Sequence, residues 1–240
     1  MKAIILAGGK GTRLAPYTTV LPKPLMPLGD KPILDIIVRQ LKHHGFTDIT
    51  MAVGHLAELI MAYFGDGDRH GVHISYSREE QPLGTAGPLG LIRLPNEPFL
   101  VMNGDVLTTL DFRTMHDQHV AAGAFATVGV CPRSVQVNLG TVSVDAHGRV
   151  LDYIEKPQYD YLASIGIYVF SPVIAQYVRP HEHLDLPALV KMLIADGREV
   201  RCYNHVDYWL DIGRPDDYEA AQADFERMRT RLLRGDAESA

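Results

Sequence analysis

Five short apolar runs punctuate the first part of the chain, at Lys2 to Leu6, Ile49 to Val53, Val72 to Tyr76, Phe99 to Met102 and Phe125 to Val130. Runs this short suit strands buried on both faces. Between the first two, Pro32 opens a stretch that sets Ile33, Leu34, Ile36, Ile37 and Leu41 on one helical face and ends at Gly45. Helical patterns at Leu56 to Phe64, Thr85 to Leu94 and Phe112 to Ala122 keep the alternation going. Strand, helix, strand repeated in this way predicts a mostly parallel sheet covered on both sides. Ligands of such sheets sit beyond the carboxyl ends of the strands.

From Gly140 the texture changes. Thr141 to Val144, Val150 to Glu155 and Ile165 to Phe170 read as strands, with a tight turn at His147-Gly148. Helical stretches follow at Pro172 to Val178, Leu186 to Ala195 and Pro215 to about Arg234, and the polar end Gly235 to Ala240 is expected to fray. No linker rich in Pro, Gly or Ser and no repeat divides the sequence. One domain over 1–240 is expected, its two halves running over about 1–135 and about 136–240.

Charge and cysteine usage narrow the functional classes. Lys and Arg number 23 against 29 Asp and Glu, a net charge of −6, so no global positive field favours nucleic acid or a membrane surface. Any phosphate that it binds must therefore be met by local donors. Cys131 and Cys202 stand far apart, without the spacing of a zinc site or a disulfide framework. The start of the chain is glycine-broken and too short for a signal segment, which predicts a cytoplasmic protein.

The local donors follow the first strand. Leu6, Ala7, Gly8, Gly9, Lys10, Gly11, Thr12, Arg13 and Leu14 form a strand-to-loop turn whose glycines let backbone N–H groups approach a polyphosphate, and Arg13 adds a forked cation. The spacing matches neither a Walker loop nor the dinucleotide fingerprint, since Leu14 stands where the latter has its third glycine. Alone, such a turn reads equally well as a bland loop. Ten residues on, Lys23 is fixed between Pro22 and Pro24, a point charge presented at low entropic cost.

These elements, with Pro82-Leu83-Gly84-Thr85-Ala86-Gly87, Asn103-Gly104-Asp105, Glu155-Lys156-Pro157 and Trp209-Leu210-Asp211-Ile212-Gly213, stand in an order and spacing that resemble the sugar nucleotidyltransferases over nearly the whole chain. The resemblance implies a three-layer α/β, Rossmann-like nucleotidyltransferase fold with a mixed, mostly parallel central sheet. It implies transfer of a nucleoside monophosphate from a triphosphate to a sugar 1-phosphate, with release of pyrophosphate. Asp105 and Asp211 become the ligands of Mg²⁺, an ion that accepts a few carboxylates together with substrate phosphates. Arg13 and the glycine-loop amides would hold the β and γ phosphates, Lys23 would neutralise developing charge, and Lys156 would clamp the sugar phosphate. Leu6, Ala7, Gly8, Gly9, Gly11, Thr12, Glu79, Pro82, Gly84, Thr85, Asn103 and Gly104 are assigned to the nucleotide. Gly140, Glu155, Ser164 and Tyr168 join Lys156 on the sugar phosphate.

Glu79, or Glu80 beside it, stands where thymidylyl- and uridylyltransferases of the family commonly carry Gln. A carboxylate only accepts, which suits the adjacent N1–H and N2–H₂ donors of guanine and repels the acceptors of uracil. GTP is therefore the expected donor, and the stretch from Glu80 to Leu89 looks most like the mannose- and heptose-1-phosphate guanylyltransferases. Ser164-Ile165-Gly166 departs from the Asn-Ala-Gly of the mannose type, which leaves the sugar open. A uridylyl- or thymidylyltransferase is the alternative, and a non-catalytic subunit that senses nucleotide sugars is the alternative of another class. No left-handed β-helix is expected; assembly into a homo-oligomer is compatible with the sequence.

Other features read as structural. His116 with His119, and His181-Glu182-His183, lack a third ligand at convincing spacing and are expected at the surface. Met51, Met61 and Met192 read as core filler, and Arg227, Arg229, Arg231 and Arg234 as a solvated or subunit-facing helix side.

Overall fold

Alternation along strand β1 (Lys2–Ala7) sends Ala3, Ile5 and Ala7 into one apolar cluster and Ile4 into another, so this strand is buried on both faces. The computed structural model describes residues 1–233. After β1 come a small hairpin of β2 (Pro27–Leu28) and β3 (Lys31–Pro32), then α1 (Ile33–His43), β4 (Asp48–Val53), α2 (Ala57–Phe64) and β5 (His73–Arg78). The chain continues through β6 (Phe99–Asn103), β7 (Val106–Thr108), α3 (Phe112–Ala122), β8 (Ala126–Gln136), β9 (Thr141–Val144) and β10 (Val150–Ile154). It ends with β11 (Gln158–Phe170), α4 (Leu186–Ala195), β12 (Val200–Asn204), β13 (Trp209–Asp211) and α5 (Pro215–Leu232).

The central sheet has seven strands in the order β12-β8-β11-β6-β1-β4-β5. Pairing is parallel from β6 through β1 and β4 to β5, antiparallel on both sides of β11, and parallel again between β8 and β12. The larger core packs residues of α1, α2, α3 and α5 on one face; α4, with Ala86 and Leu89, covers the other. This is the three-layer, mixed and mostly parallel architecture expected.

Several local expectations are corrected. Thr85 to Leu94 is not an α-helix: only a 3₁₀ turn forms, over Gly87–Leu91. Pro88 has no N–H to give, and the N–H groups of Ala86 and Gly87 both go to the Leu184 carbonyl, at 2.8 and 2.9 Å. Pro172 to Val178 likewise shrinks to a 3₁₀ turn over Pro172–Gln176. Strands β8 and β11 run well past their apolar cores into an exposed two-stranded arm that carries the β9–β10 hairpin. Strands β12 and β13 were hidden because their residues are only partly buried and carry no apolar run.

Met51 is buried, but Met61 and Met192 are about 40% exposed, on the outer sides of α2 and α4. His119, expected at the surface, is 1% exposed and its two ring nitrogens meet Thr127 Oγ1 at 2.9 Å and Ser171 Oγ at 3.1 Å. On α5, Arg229 pairs with Asp30 and Arg231 with Asp207, so these arginines fasten the helix to the body. Arg234 and the segment 235–240 lie outside the described residues.

Candidate active site

The sheet order places a topological switch beside β1. From β1 the chain steps outward to β4 and β5, then returns to lay β6 on the other side. The turns after Ala7 and after Asn103 therefore open side by side, where ligands of such sheets bind. Gly104 donates its N–H to the Leu6 carbonyl at 2.9 Å, and His55, after β4, donates its own to the Gly8 carbonyl at 3.1 Å. Together these strand ends enclose a cleft of ≈ 1160 Å³. All residues assigned to the nucleotide line it, from Leu6 and the glycine loop through Glu79, Pro82, Gly84 and Thr85 to Asn103 and Gly104, as do Arg13, Lys23, Asp105 and Asp211.

Two carboxylates meet at one end. Strand β13 pairs antiparallel with β7, with Asp211 opposite Val106, and Ile212 donates to the Asp105 carbonyl at 3.2 Å. Residues more than a hundred positions apart thus become neighbours. Burial pushes the Asp211 carboxyl above its ordinary value, and the charge of Asp105 pushes it further. Oδ1 of Asp105 is buried without a hydrogen-bond partner, while its Oδ2 accepts from Lys23 Nζ. Lys23 is itself 8% exposed, in a 3₁₀ turn over Lys23–Leu25. An orphaned carboxylate oxygen beside a second carboxylate that resists ionisation suits a bound divalent cation, and two oxygen donors plus phosphate suit Mg²⁺. No group of three or more His, Cys, Asp or Glu ligands for a metal occurs among the described residues.

The far wall carries Glu79, one residue past β5. Its Oε2 accepts from the Leu83 N–H at 3.2 Å, and burial raises its carboxyl pKa, an effect that this hydrogen bond partly offsets. Gly8 and Gly54 flank it closely: a Cβ on either would fall within 3.0 Å of Oε1. The loop beyond is pinned by the segment before α4. Gly84, Gly87 and Gly90 each face backbone there, with built Cβ positions 2.6, 2.5 and 2.4 Å from the carbonyl oxygens of Leu184, Glu182 and Arg179. Gly87 and Gly90 stand one period apart within the 3₁₀ turn, whose i and i+3 positions eclipse, while Gly84 precedes it with a left-handed φ of 77°. The glycines thus form a smooth strip for close backbone approach.

A family model described as Nucleotidyl transferase matches residues 2–228. The chain belongs to the nucleotidyl transferase family. A UTP–glucose-1-phosphate uridylyltransferase of Synechocystis is 37% identical over 238 residues, covering 91% of this chain and 61% of that protein. A mannose-1-phosphate guanyltransferase beta-B of Xenopus laevis is 34% identical over 91% of this chain and 62% of its own length. The chain spans about three fifths of the length of these curated relatives. Among solved structures, a Bacillus anthracis protein assigned as a glucose-1-phosphate thymidylyltransferase superposes with a TM-score of 0.75 at 26% identity, covering 93% of this chain and 94% of that one.

The residues assigned to the sugar phosphate all stand outside the cleft lining of this nucleotidyl transferase. Gly140, Glu155 and Lys156 gather on the arm instead: Tyr153 OH donates to Glu155 at 3.3 Å, and a Cβ on Gly140 would sit 2.3 Å from that hydroxyl. Lys156 is exposed, with a left-handed φ of 47°. Ser164 Oγ and Tyr168 OH lie 3.1 Å apart, and the Tyr168 ring is buried against Phe170. None of the five lines the cleft. Conversely, Gly54, His55 and Arg78 line it without having been singled out. The signal was present: Gly54-His55 ends the strand beside β1, as Gly8 ends β1 itself.

Proposed function

We propose that the protein transfers GMP from GTP to a sugar 1-phosphate of the mannose or heptose class, giving a GDP-sugar and pyrophosphate. The observation that carries the choice of base is Glu79. It is a half-buried carboxylate held against the glycine loop, so a base with two adjacent N–H donors compensates its desolvation, whereas uracil brings one donor flanked by acceptors. The 34% identity to a mannose-1-phosphate guanyltransferase supports the same choice.

In this mechanism an oxygen of the sugar phosphate attacks the α-phosphorus in line. The bond from the α-phosphorus to the bridging oxygen breaks, and pyrophosphate leaves with the electron pair. The glycine-loop amides and Arg13 hold the β and γ groups. Asp105 and Asp211 hold Mg²⁺, which supplies charge neutralisation at the reacting phosphate when bound. Lys23, paired with Asp105 in the free protein, supplies a further cation next to the phosphates. Lys156 and Glu155 on the arm serve the acceptor's phosphate and hydroxyls, and Gly140, Ser164 and Tyr168 are assigned to the same acceptor. The division is between a nucleotide half over about 1–135 and an acceptor half beyond it, to which Asp211 is the exception.

A second reading, uridylyl transfer, is favoured by the 37% identity to the Synechocystis enzyme. Pyrophosphate release, measured for each common nucleoside triphosphate against mannose, glucose, N-acetylglucosamine and heptose 1-phosphates with Mg²⁺, separates the two. GTP-dependent release, with a GTP over UTP preference that falls in Glu79→Gln, is the expected result. Release with UTP alone overturns the choice of base. Silence throughout, together with thermal stabilisation by GDP-sugars, would identify a sensor.

A further inference from the structure

A glycine loop binds a polyphosphate more tightly when something other than the polyphosphate fixes its shape, because glycine loses more backbone freedom on ordering than any other residue. Here the loop is held at two points. At its start, the Gly8 carbonyl accepts the backbone N–H of His55 at 3.1 Å. At its middle, the Gly11 carbonyl accepts the hydroxyl of Thr18 at 2.9 Å as well as the Leu14 N–H at 2.9 Å. These two anchors are joined: Nε2 of the His55 ring lies 3.2 Å from the Thr18 carbonyl oxygen. A carbonyl only accepts, so the ring carries its hydrogen on Nε2. The result is a relay in which His55 grips Gly8 with its backbone and Thr18 with its ring, while Thr18 grips Gly11.

Two further observations point the same way. Thr18 is 3% exposed and its Cγ2 would stand 2.9 Å from a Cβ on Gly11, so the left-handed turn at Gly11, φ 61°, is shaped against it. Leu56, which follows His55, adopts φ 53°, a left-handed conformation that costs a leucine about 1–2 kcal/mol. Backbone strain persists where surrounding contacts impose it, and here it sits beside a residue that lines the cleft.

We infer that Thr18 and His55 are positioning residues, which preset the glycine loop and, through Gly11, the neighbouring Arg13 for the triphosphate without touching the sugar phosphate. The inference rests on the nucleotidyl-transfer reading. The relay predicts a split in the kinetics. Thr18→Val, which keeps shape and loses the hydroxyl, and His55→Phe, which keeps a ring and loses Nε2–H, each raise the KM for the nucleoside triphosphate about tenfold, as expected for one lost hydrogen bond in an ordered network. The KM for the sugar 1-phosphate stays within about twofold. His55→Gln, whose side-chain N–H can reach the same carbonyl, and Thr18→Ser restore near-native values. The double variant is no worse than the worse single one, because a chain broken twice is still one broken chain.

The full-length chain is assayed for pyrophosphate release, with thermal unfolding run alongside. Equal loss in both KM values, strict additivity in the double variant, or no rescue by His55→Gln and Thr18→Ser would overturn the relay. If His55→Phe fails to fold, the Thr18→Val and Thr18→Ser pair still decides. A wild-type protein that releases no pyrophosphate with any triphosphate fails the underlying function and is distinguished from a wild-type enzyme whose variants keep their triphosphate KM.

Discussion

A methyl group on Gly8 would lie 2.1 Å from Oε1 of Glu79. The loop proposed to hold the phosphates and the carboxylate proposed to read the base are therefore packed against each other, and one cannot be altered without moving the other. The atom in the way is the tip of a flexible side chain, so Gly8→Ala should displace the carboxylate before it disturbs the backbone. The expected outcome is a normal fold by circular dichroism, with kcat/KM for GTP lowered about tenfold or more and the preference over UTP reduced. A variant that keeps full GTP preference would detach Glu79 from base choice.

The pairing of Asp105 with Asp211 predicts a conflict between stability and turnover. Without a cation, burial and the Asp105 charge both oppose the ionised form of Asp211. Asp211→Asn should therefore unfold at the same or a higher temperature than the wild type when divalent ions are chelated, while turnover with saturating Mg²⁺ falls by orders of magnitude. Asp105→Asn should lose turnover similarly. It also removes the carboxylate that holds Lys23, so no stability gain is expected from it. Near-normal rates in either variant would end the metal assignment.

Gly87 and Gly90 make a purely mechanical prediction. A Cβ at either position meets a backbone carbonyl oxygen of Glu182 or Arg179 that no side-chain rotation can move away. Overpacking of this kind costs about 1–3 kcal/mol, or several degrees in Tm for a chain of this size. Gly9 is the control: nothing lies within 4 Å of its built Cβ, so Gly9→Ala should leave Tm unchanged even where it slows nucleotide binding. Equal Tm values for the three variants would refute the packing strip.

The same strip shows where the sequence misleads. Ala86 and Leu89 are spaced as on a helix, and glycines at 84, 87 and 90 look like tolerated interruptions; only the segment 179–185, distant in the chain, reveals them as a contact surface. By contrast the glycine loop and Gly104-Asp105 are legible because each follows a strand that its own apolar run declares, and Lys23 because two prolines flank it. The cleft walls are built from such local signals. What stayed hidden are relationships across the chain: the three-residue β7–β13 pairing that brings Asp211 to Asp105, the Lys23 to Asp105 ion pair, and the contact of His55 with Thr18. No periodicity encodes a pairing of that length, and the Gly54-His55 turn after β4 does not declare its reach to Thr18. The arm of β8 and β11 leaves no mark in the sequence for a different reason: its strands are exposed and carry no buried face to pattern.

His119 supplies a test that does not depend on substrate. Its ring is 1% exposed, and burial, helped by nearby His116, lowers its pKa from 6.5 to about 4. Between those values the unfolded chain takes up a proton that the folded chain refuses, so protonation favours unfolding. This contribution is absent above pH 6.5, grows as the pH falls, and is complete below about pH 4, where a gap of that size corresponds to about 3 kcal/mol of lost stability. Other groups titrate in the same window, so the informative quantity is the difference from a variant without the imidazole. His119→Gln offers an amide to the Thr127 and Ser171 hydroxyls and cannot titrate. Chemical denaturation at neutral pH and near pH 4.5 should show the wild type losing about 2 kcal/mol more than His119→Gln. Parallel losses in the two proteins would mean that His119 accepts its proton within the fold, and that its burial between α3 and the sheet is looser than the hydrogen bonds to Thr127 and Ser171 imply.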